Sequence, residues 1–92
     1  MNKKEINKAV QKIKTLTNKR TSEVLDLLEG GEMFVKQIEV DSGMPQAHIS
    51  KILNRLIEHG YVKYRKDGKF RYFSLTGERE RVIEICKRFN EL

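Results

Sequence analysis

A mainly α domain with one β-hairpin (α+β), in the order α-α-α-α-β-β-α, is what the sequence predicts, on three observations. Apolar residues recur at three- and four-residue spacing through four early segments and a final one, the mark of helices buried on one face. Between Tyr61 and Leu75 the period changes to two around Asp67-Gly68, the mark of two paired strands. Gly30-Gly31, Gly43 and Gly60 fall where the helical patterns stop.

Ile6, Ala9, Val10, Ile13 and Leu16 outline the first helix, whose other face is mostly Lys, Asn and Gln. The second starts near Thr21 or Ser22 and turns Val24, Leu25, Leu27 and Leu28 inward before Gly30-Gly31 ends it. Met33 to Asp41, with Val35, Ile38 and Val40, reads as a short helix following Glu32. Gly43 supplies a turn residue that tolerates positive φ, and Pro45 suits the first turn of the next helix, where its missing N–H would be unpaired anyway.

That fourth helix, 46–59, buries Ile49, Ile52, Leu53, Leu56 and Ile57. Gln46, Ala47, His48, Ser50, Lys51, Asn54 and Arg55 fall on or beside its opposite face. In the hairpin, a type I′ turn at Asp67-Gly68 places Val62 opposite Phe73, facing the core. Phe70 and Tyr72 share the other face with Lys63 and Arg65 and are expected to pack rather than to stack on a ligand. Thr76 caps a last helix with an apolar stripe of Val82, Ile85, Cys86 and Phe89. The segment at 33–41, the turn and the helix at 46–59 form a helix-turn-helix, and the hairpin is its wing.

A chain of 92 residues makes one domain, here 1–92, with a modest core. Its net charge of +6 is unevenly placed. Residues 1–20 carry seven Lys/Arg against Glu5, and residues 61–73 carry Lys63, Arg65, Lys66, Lys69 and Arg71 against Asp67. Residues 21–44 are acidic, with Lys36 facing Glu23, Asp26, Glu29, Glu32, Glu39 and Asp41. A basic hairpin directly after a polar-faced helix points to a polyanionic partner. The lone Cys86 excludes an intramolecular disulfide and fits a reducing, cytoplasmic setting. No apolar run approaches the ~20 residues that cross a bilayer, and no signal-peptide core follows the N-terminal lysines, so no membrane partner is expected.

With these pieces in order, Arg20 through Leu75 resembles the winged-helix core of the arsenic-repressor-like (ArsR-like) bacterial transcriptional regulators. The resemblance is carried by Glu23-Val-Leu-Asp-Leu-Leu28, Gly31-Glu-Met-Phe-Val-Lys-Gln-Ile38, His48-Ile-Ser-Lys-Ile-Leu-Asn-Arg-Leu56, Gly60-Tyr-Val62, Gly68 and Tyr72-Phe-Ser-Leu75. It implies a homodimer joined through its first and last helices, two recognition helices on successive major grooves, and repression relieved by a ligand, often a metal. This chain departs from the metal-sensing members. Their paired thiols would lie in Glu32–Ile38, where it has Phe34 and Lys36, and its last helix lacks a carboxylate and histidine set. Soft and borderline metals need those thiolate or imidazole lone pairs, so no metal site and no cofactor are expected.

The expected partners are therefore double-stranded DNA, with an inverted-repeat operator, and a second copy of the chain. Gln46, His48, Ser50, Lys51 and Asn54 can reach base edges, with Ala47 beside them. The plainer reading of that face is a solvated helix surface; its place before a basic hairpin favours DNA. Arg55 contacts either a phosphate or an acidic neighbour of its own chain. Arg65, Lys66, Lys69 and Arg71 are candidate phosphate contacts, although cations also guard exposed strand edges. Ile6, Val10 and Ile13 with Val82, Ile85, Cys86 and Phe89 form the expected dimer interface, the alternative being that both stripes complete the monomer's core. Cys86 is a small core or interface residue, or else bridges to its own copy across a two-fold axis. The residues offer no nucleophile–base pair, carboxylate cleft or phosphate-cradling loop, so no enzyme is expected. The competing reading is a winged-helix module that docks protein or structured RNA.

Overall fold

Asn18 sets the first joint of the chain. Its side chain accepts hydrogen bonds from the N–H groups of Arg20 and Thr21, at 3.0 and 3.2 Å, and so caps a helix that begins at Lys19. The second helix therefore starts two residues before Thr21, the earliest start that apolar spacing suggested, because a polar cap outside the stripe decides where it begins. The computed structural model describes residues 2–90, with side chains through Arg88. Helix α1 (Lys3–Thr17) is followed by α2 (Lys19–Leu28), α3 (Val35–Ser42) and α4 (Gln46–Glu58). Strands β1 (Val62–Asp67) and β2 (Phe70–Leu75) and helix α5 (Glu78–Asn90) complete the expected order.

Helices α2, α3 and α4 enclose the core. Val24, Leu25 and Leu28 of α2 meet Ile38 of α3 and Ile49, Ile52, Leu53 and Leu56 of α4, all buried. Each such side chain contributes about 1.5–3 kcal/mol by leaving water. Met44, in the turn between α3 and α4, is buried with them. That turn works because Gly43 adopts φ 74°, where a Cβ would be strained, and donates to the Glu39 carbonyl at 2.9 Å. Pro45, at φ −62°, stands just before α4 rather than within its first turn.

The segment before α3 differs from its sequence expectation. Met33 is extended and exchanges two backbone hydrogen bonds with Phe73, of 3.0 and 2.8 Å, as a one-residue third strand beside β2. The helix begins only at Val35, after the Gln37 side chain has accepted the Phe34 N–H at 3.0 Å. Pairing with a strand forty residues away leaves no local periodicity, which is why the sequence pattern ran the helix through Met33.

The hairpin register is also corrected. Val62 pairs with Leu75 and Tyr64 with Phe73, so Val62 and Phe73 share a face diagonally instead of standing opposite. Asp67 pairs with Phe70, and the two turn residues are Gly68 and Lys69. Gly68 has φ 60° and no described non-glycine residue has positive φ, the pattern of a type II′ turn rather than I′. The shift is by an even number of residues, so side chains keep their expected faces.

A corner at Gly60–Tyr61 ties the elements together. The Gly60 N–H bonds the Ile57 carbonyl at 3.0 Å and the Tyr61 N–H bonds the Leu56 carbonyl at 2.9 Å, a Schellman stop with Gly60 at φ 81°. Tyr61 is fully buried, and its hydroxyl donates to the Lys12 carbonyl of α1 at 2.8 Å. Thr76 donates its N–H to the Tyr61 carbonyl at 3.1 Å and its hydroxyl to the Gly60 carbonyl at 2.6 Å. The same hydroxyl oxygen accepts the Glu78 N–H at 3.2 Å, starting α5. Lys12 and Glu78 close the arrangement with an ion pair of 2.8 Å. No helix among the described residues is long and apolar enough to cross a membrane.

Burial pushes the Tyr61 hydroxyl up to about 12. An unfolded tyrosine ionises near 10, so the folded state gains its Tyr61 contribution fully below pH 10 and loses it as pH rises toward 12. Tyr61→Phe is expected to lower unfolding free energy by about 0.5–1.5 kcal/mol at neutral pH, by removing the hydrogen bond to the Lys12 carbonyl. It should also flatten the alkaline fall in stability. Urea melts of both proteins at pH 7 and at pH 10 to 11 check the two effects together.

Candidate nucleic-acid interface

Helix α4 is amphipathic in the sense the interface needs. Its Ile49, Ile52, Leu53 and Leu56 side is buried in the core, which fixes the rotation of the helix about its axis. Gln46, Ala47, His48, Lys51, Asn54 and Arg55 are exposed as a consequence, and Ser50 is half-buried at the edge. Neither Lys51 nor Arg55 makes an ion pair among the described residues, so the acidic-neighbour reading of Arg55 finds no partner within the described chain. The start of α4 carries no side-chain cap. The N–H groups of His48 and Ile49 bond the Pro45 carbonyl at 3.1 Å, and no side chain shields the positive end of the helix dipole.

The wing places its cations on two faces. Lys66 and Arg71 lie across from one another on the face of Tyr64 and Phe73, with the Arg71 guanidinium over the Tyr64 ring at 5.2 Å. Lys69 sits in the turn, its ammonium 5.6 Å from the centre of the Phe70 ring. All three are exposed and unpaired by carboxylates among the described residues.

Arg65 differs from these three. Its Nε and Nη2 donate to the two Glu32 carboxylate oxygens at 3.0 and 2.6 Å, a bidentate fork, and its guanidinium stacks 4.6 Å from the centre of the Tyr72 ring. The hydrogen bonds from Arg65 hold the Glu32 carboxyl below the usual carboxylate range, and those to Glu32 raise Arg65 in turn. Phe34 packs on Phe70 and Tyr72, with ring centres 5.4 and 5.8 Å apart, so these two aromatics pack on the domain. Glu32 and Phe34 were not singled out in the sequence. Their partners lie more than thirty positions away, and no local pattern marks them.

The two stripes assigned to a dimer fall differently. Ile6, Val10 and Ile13 on α1 are 46, 40 and 45% exposed, so this apolar face finds little cover among the described residues. On α5, Ile85 is 58% exposed, while Val82 is buried in the monomer's core and Cys86 is half-buried against it. Val82 thus has little surface left for a partner, because α5 turns it toward the α2–α4 core. Ile83, not singled out in the sequence, is exposed. The Phe89 side chain lies outside the described residues.

Comparison with known proteins gives the family and the fold. The model of the family "Sugar-specific transcriptional regulator TrmB" matches residues 22–76, more than half of the chain. The HTH-type transcriptional regulator MJ1325 of Methanocaldococcus jannaschii is 39% identical over 66 residues, which cover 72% of each chain. The HTH-type transcriptional regulator Rv0324 of Mycobacterium tuberculosis is 37% identical over 65 residues, 71% of this chain but only 29% of that longer protein. Among solved structures, the homodimeric winged helix-turn-helix DNA-binding domain Mb0332 of Mycobacterium bovis, a possible ArsR-family regulator, superimposes with a TM-score of 0.76 at 28% identity. That match covers 99% of this chain and 87% of the Mb0332 domain. The ArsR-like resemblance is thus met in the solved neighbours, and the chain itself belongs to the TrmB family of transcriptional regulators, with a winged helix-turn-helix DNA-binding fold.

Proposed function

We propose that this chain acts as a homodimeric repressor that reads an inverted-repeat operator. Each α4 enters a major groove, with Gln46, His48, Ser50, Lys51 and Asn54 toward base edges and Ala47 close to the groove floor. Arg55, Lys66, Lys69 and Arg71 hold the flanking phosphates. The observation that carries this reading is the exposed polar face of α4, uncapped at its start and unpaired by carboxylates along its length, followed directly by a cationic wing. A protein-docking face would show an apolar centre there.

The dimer is supported by an inversion of α1. Its Lys4, Lys8 and Gln11 line a groove shared with Arg55, Glu58 and His59 of the α4 end. Ile6, Val10 and Ile13 lie on the other side of that helix and stay exposed. A helix that turns its polar stripe toward its own domain and its apolar stripe away has that stripe available for a second copy. The matched residues 22–76 comprise the helix-turn-helix and wing, so the similarity speaks for the DNA-reading part and not for the sugar that the family's description names.

Selection from a random duplex pool, followed by salt titration, tests the proposal. An enriched inverted repeat with a steep salt slope is expected; failure to bind any duplex at low salt would move the weight to docking of protein or RNA. On the enriched duplex, Lys51→Ala and Asn54→Ala should each cost about 1–3 kcal/mol of discrimination. Their thermal stability should change by no more than about 0.5 kcal/mol, since neither side chain has a partner among the described residues. In sedimentation, Val10→Asp/Ile13→Asp should run as a monomer where the wild type runs as a dimer. A dimeric double variant would remove α1 from the interface.

A further inference from the structure

We propose that Glu32 and Arg65 form a latch that fixes the angle of the wing against the helix-turn-helix, so that Arg65 positions the wing rather than binding phosphate. The inference rests on the DNA-binding reading above, and it reassigns Arg65, which the sequence offered as a phosphate contact. Three independent contacts join the wing to the segment leading into α3. Met33 pairs with Phe73 through two backbone hydrogen bonds. Phe34 inserts its ring against Phe70 and Tyr72. The Arg65 guanidinium is gripped edge-on by the Glu32 carboxylate and lies over the Tyr72 ring on its face. An arginine fork held this way has used Nε and Nη2, the two donors that most readily take a phosphate in bidentate fashion. Lys66, Lys69 and Arg71 have no such commitment.

The latch matters because a two-stranded hairpin is marginal by itself. The wing has only β1 and β2 and joins the domain at one end, through Tyr61 and Thr76. Without a second attachment its tip would swing relative to α4, and phosphate contacts from Lys66 and Lys69 would be made at an entropic cost. Met33, Phe34 and Glu32 supply that attachment from the start of the helix-turn-helix, so α3, α4 and the wing meet a duplex as one body.

The test exploits an opposition of signs. Removing an acidic charge beside a polyanion should tighten binding by Coulomb attraction alone. On the enriched duplex, Glu32→Gln is instead expected to bind about three- to fivefold more weakly, with an unchanged salt slope. Arg65→Lys should weaken binding similarly, because an ammonium cannot reproduce the fork or the stack. Arg65→Ala should leave the salt slope unchanged, whereas Lys66→Ala should lower it by about 0.9. Tighter binding by Glu32→Gln with a steeper slope would mean that Glu32 withholds Arg65 from phosphate, and equal binding would mean the pair is idle. Either result overturns the latch. A second measurement needs no DNA. In free Glu32→Gln, amide exchange across residues 63–72 should quicken about threefold or more while α2 and α4 are unaffected. Unchanged wing exchange would overturn the latch even if duplex binding is confirmed, and quickened exchange in a protein that binds no duplex would retain the latch while sinking the DNA reading.

Discussion

The stop at Gly60 and the burial of Tyr61 are the constraint on which the rest of this structure depends. A helix that ran one more turn would carry Tyr61 into solvent and displace the wing. Because Gly60 accepts φ 81°, the chain reverses at once and drops the tyrosine ring into the core. Five elements then refer their position to two residues. Helix α4 ends on their N–H groups, α1 docks through the Lys12 carbonyl, β1 leaves from Val62, and the β2–α5 junction is held by Thr76. The point at which the wing leaves α4 is therefore set at one covalent corner, and the contacts of residues 32–34 with the hairpin add a second attachment further along it.

Charge placement follows a second logic, in which the acidic stretch between Thr21 and Met44 is matched to cations from elsewhere. Arg79 of α5 meets Asp26 at 3.0 Å and Glu29 at 3.7 Å, Arg65 meets Glu32, and Arg20 meets Glu23 at 3.8 Å. Such exposed pairs contribute only about 0–1 kcal/mol each to stability. Their larger effect is on the field. They pair off cations that would otherwise spread over every face, and among the described residues they leave Lys51, Arg55, Lys66, Lys69 and Arg71 on α4 and the wing without a carboxylate. The net charge of +6 thus understates how strongly those two elements would attract a polyanion.

Much of this was legible in the residues, and the limits have physical causes. The α4 stripe, the glycine stops and the period change after Gly60 are local signals, and each element appeared where they put it. Polar capping at Asn18 is local too, yet an apolar stripe outlines the buried face and not the first turn, so the start of α2 was placed late. The hairpin register turned on whether Asp67 or Gly68 opened the turn, and both accept the geometry of some two-residue turn. Only the pairing of Asp67 with Phe70 decides it. For the candidate site, exposure on α4 was readable because it is the complement of a buried stripe. The commitment of Arg65 was not. An arginine in a basic run has the same sequence signature whether it faces phosphate or a carboxylate thirty-three positions away.

The segment that leads into α3 shows why resemblance in fold need not bring resemblance in regulation. In the metal-sensing proteins that this chain resembles, paired thiols would stand between Glu32 and Ile38. Here that stretch is already occupied. Met33 is paired to β2, Phe34 is wedged between two wing aromatics, Gln37 caps the Phe34 N–H, and Ile38 is buried in the core. A thiolate at Phe34 would have to displace the ring that contacts Phe70 and Tyr72, and would put a charge against an apolar surface. The side chains in this stretch are thus already committed to the wing and the core, and none of them offers a thiolate or imidazole to a soft metal. The latch proposed above would give this stretch a mechanical role where the ArsR-like resemblance implies ligand chemistry, and the side chains decide between the two.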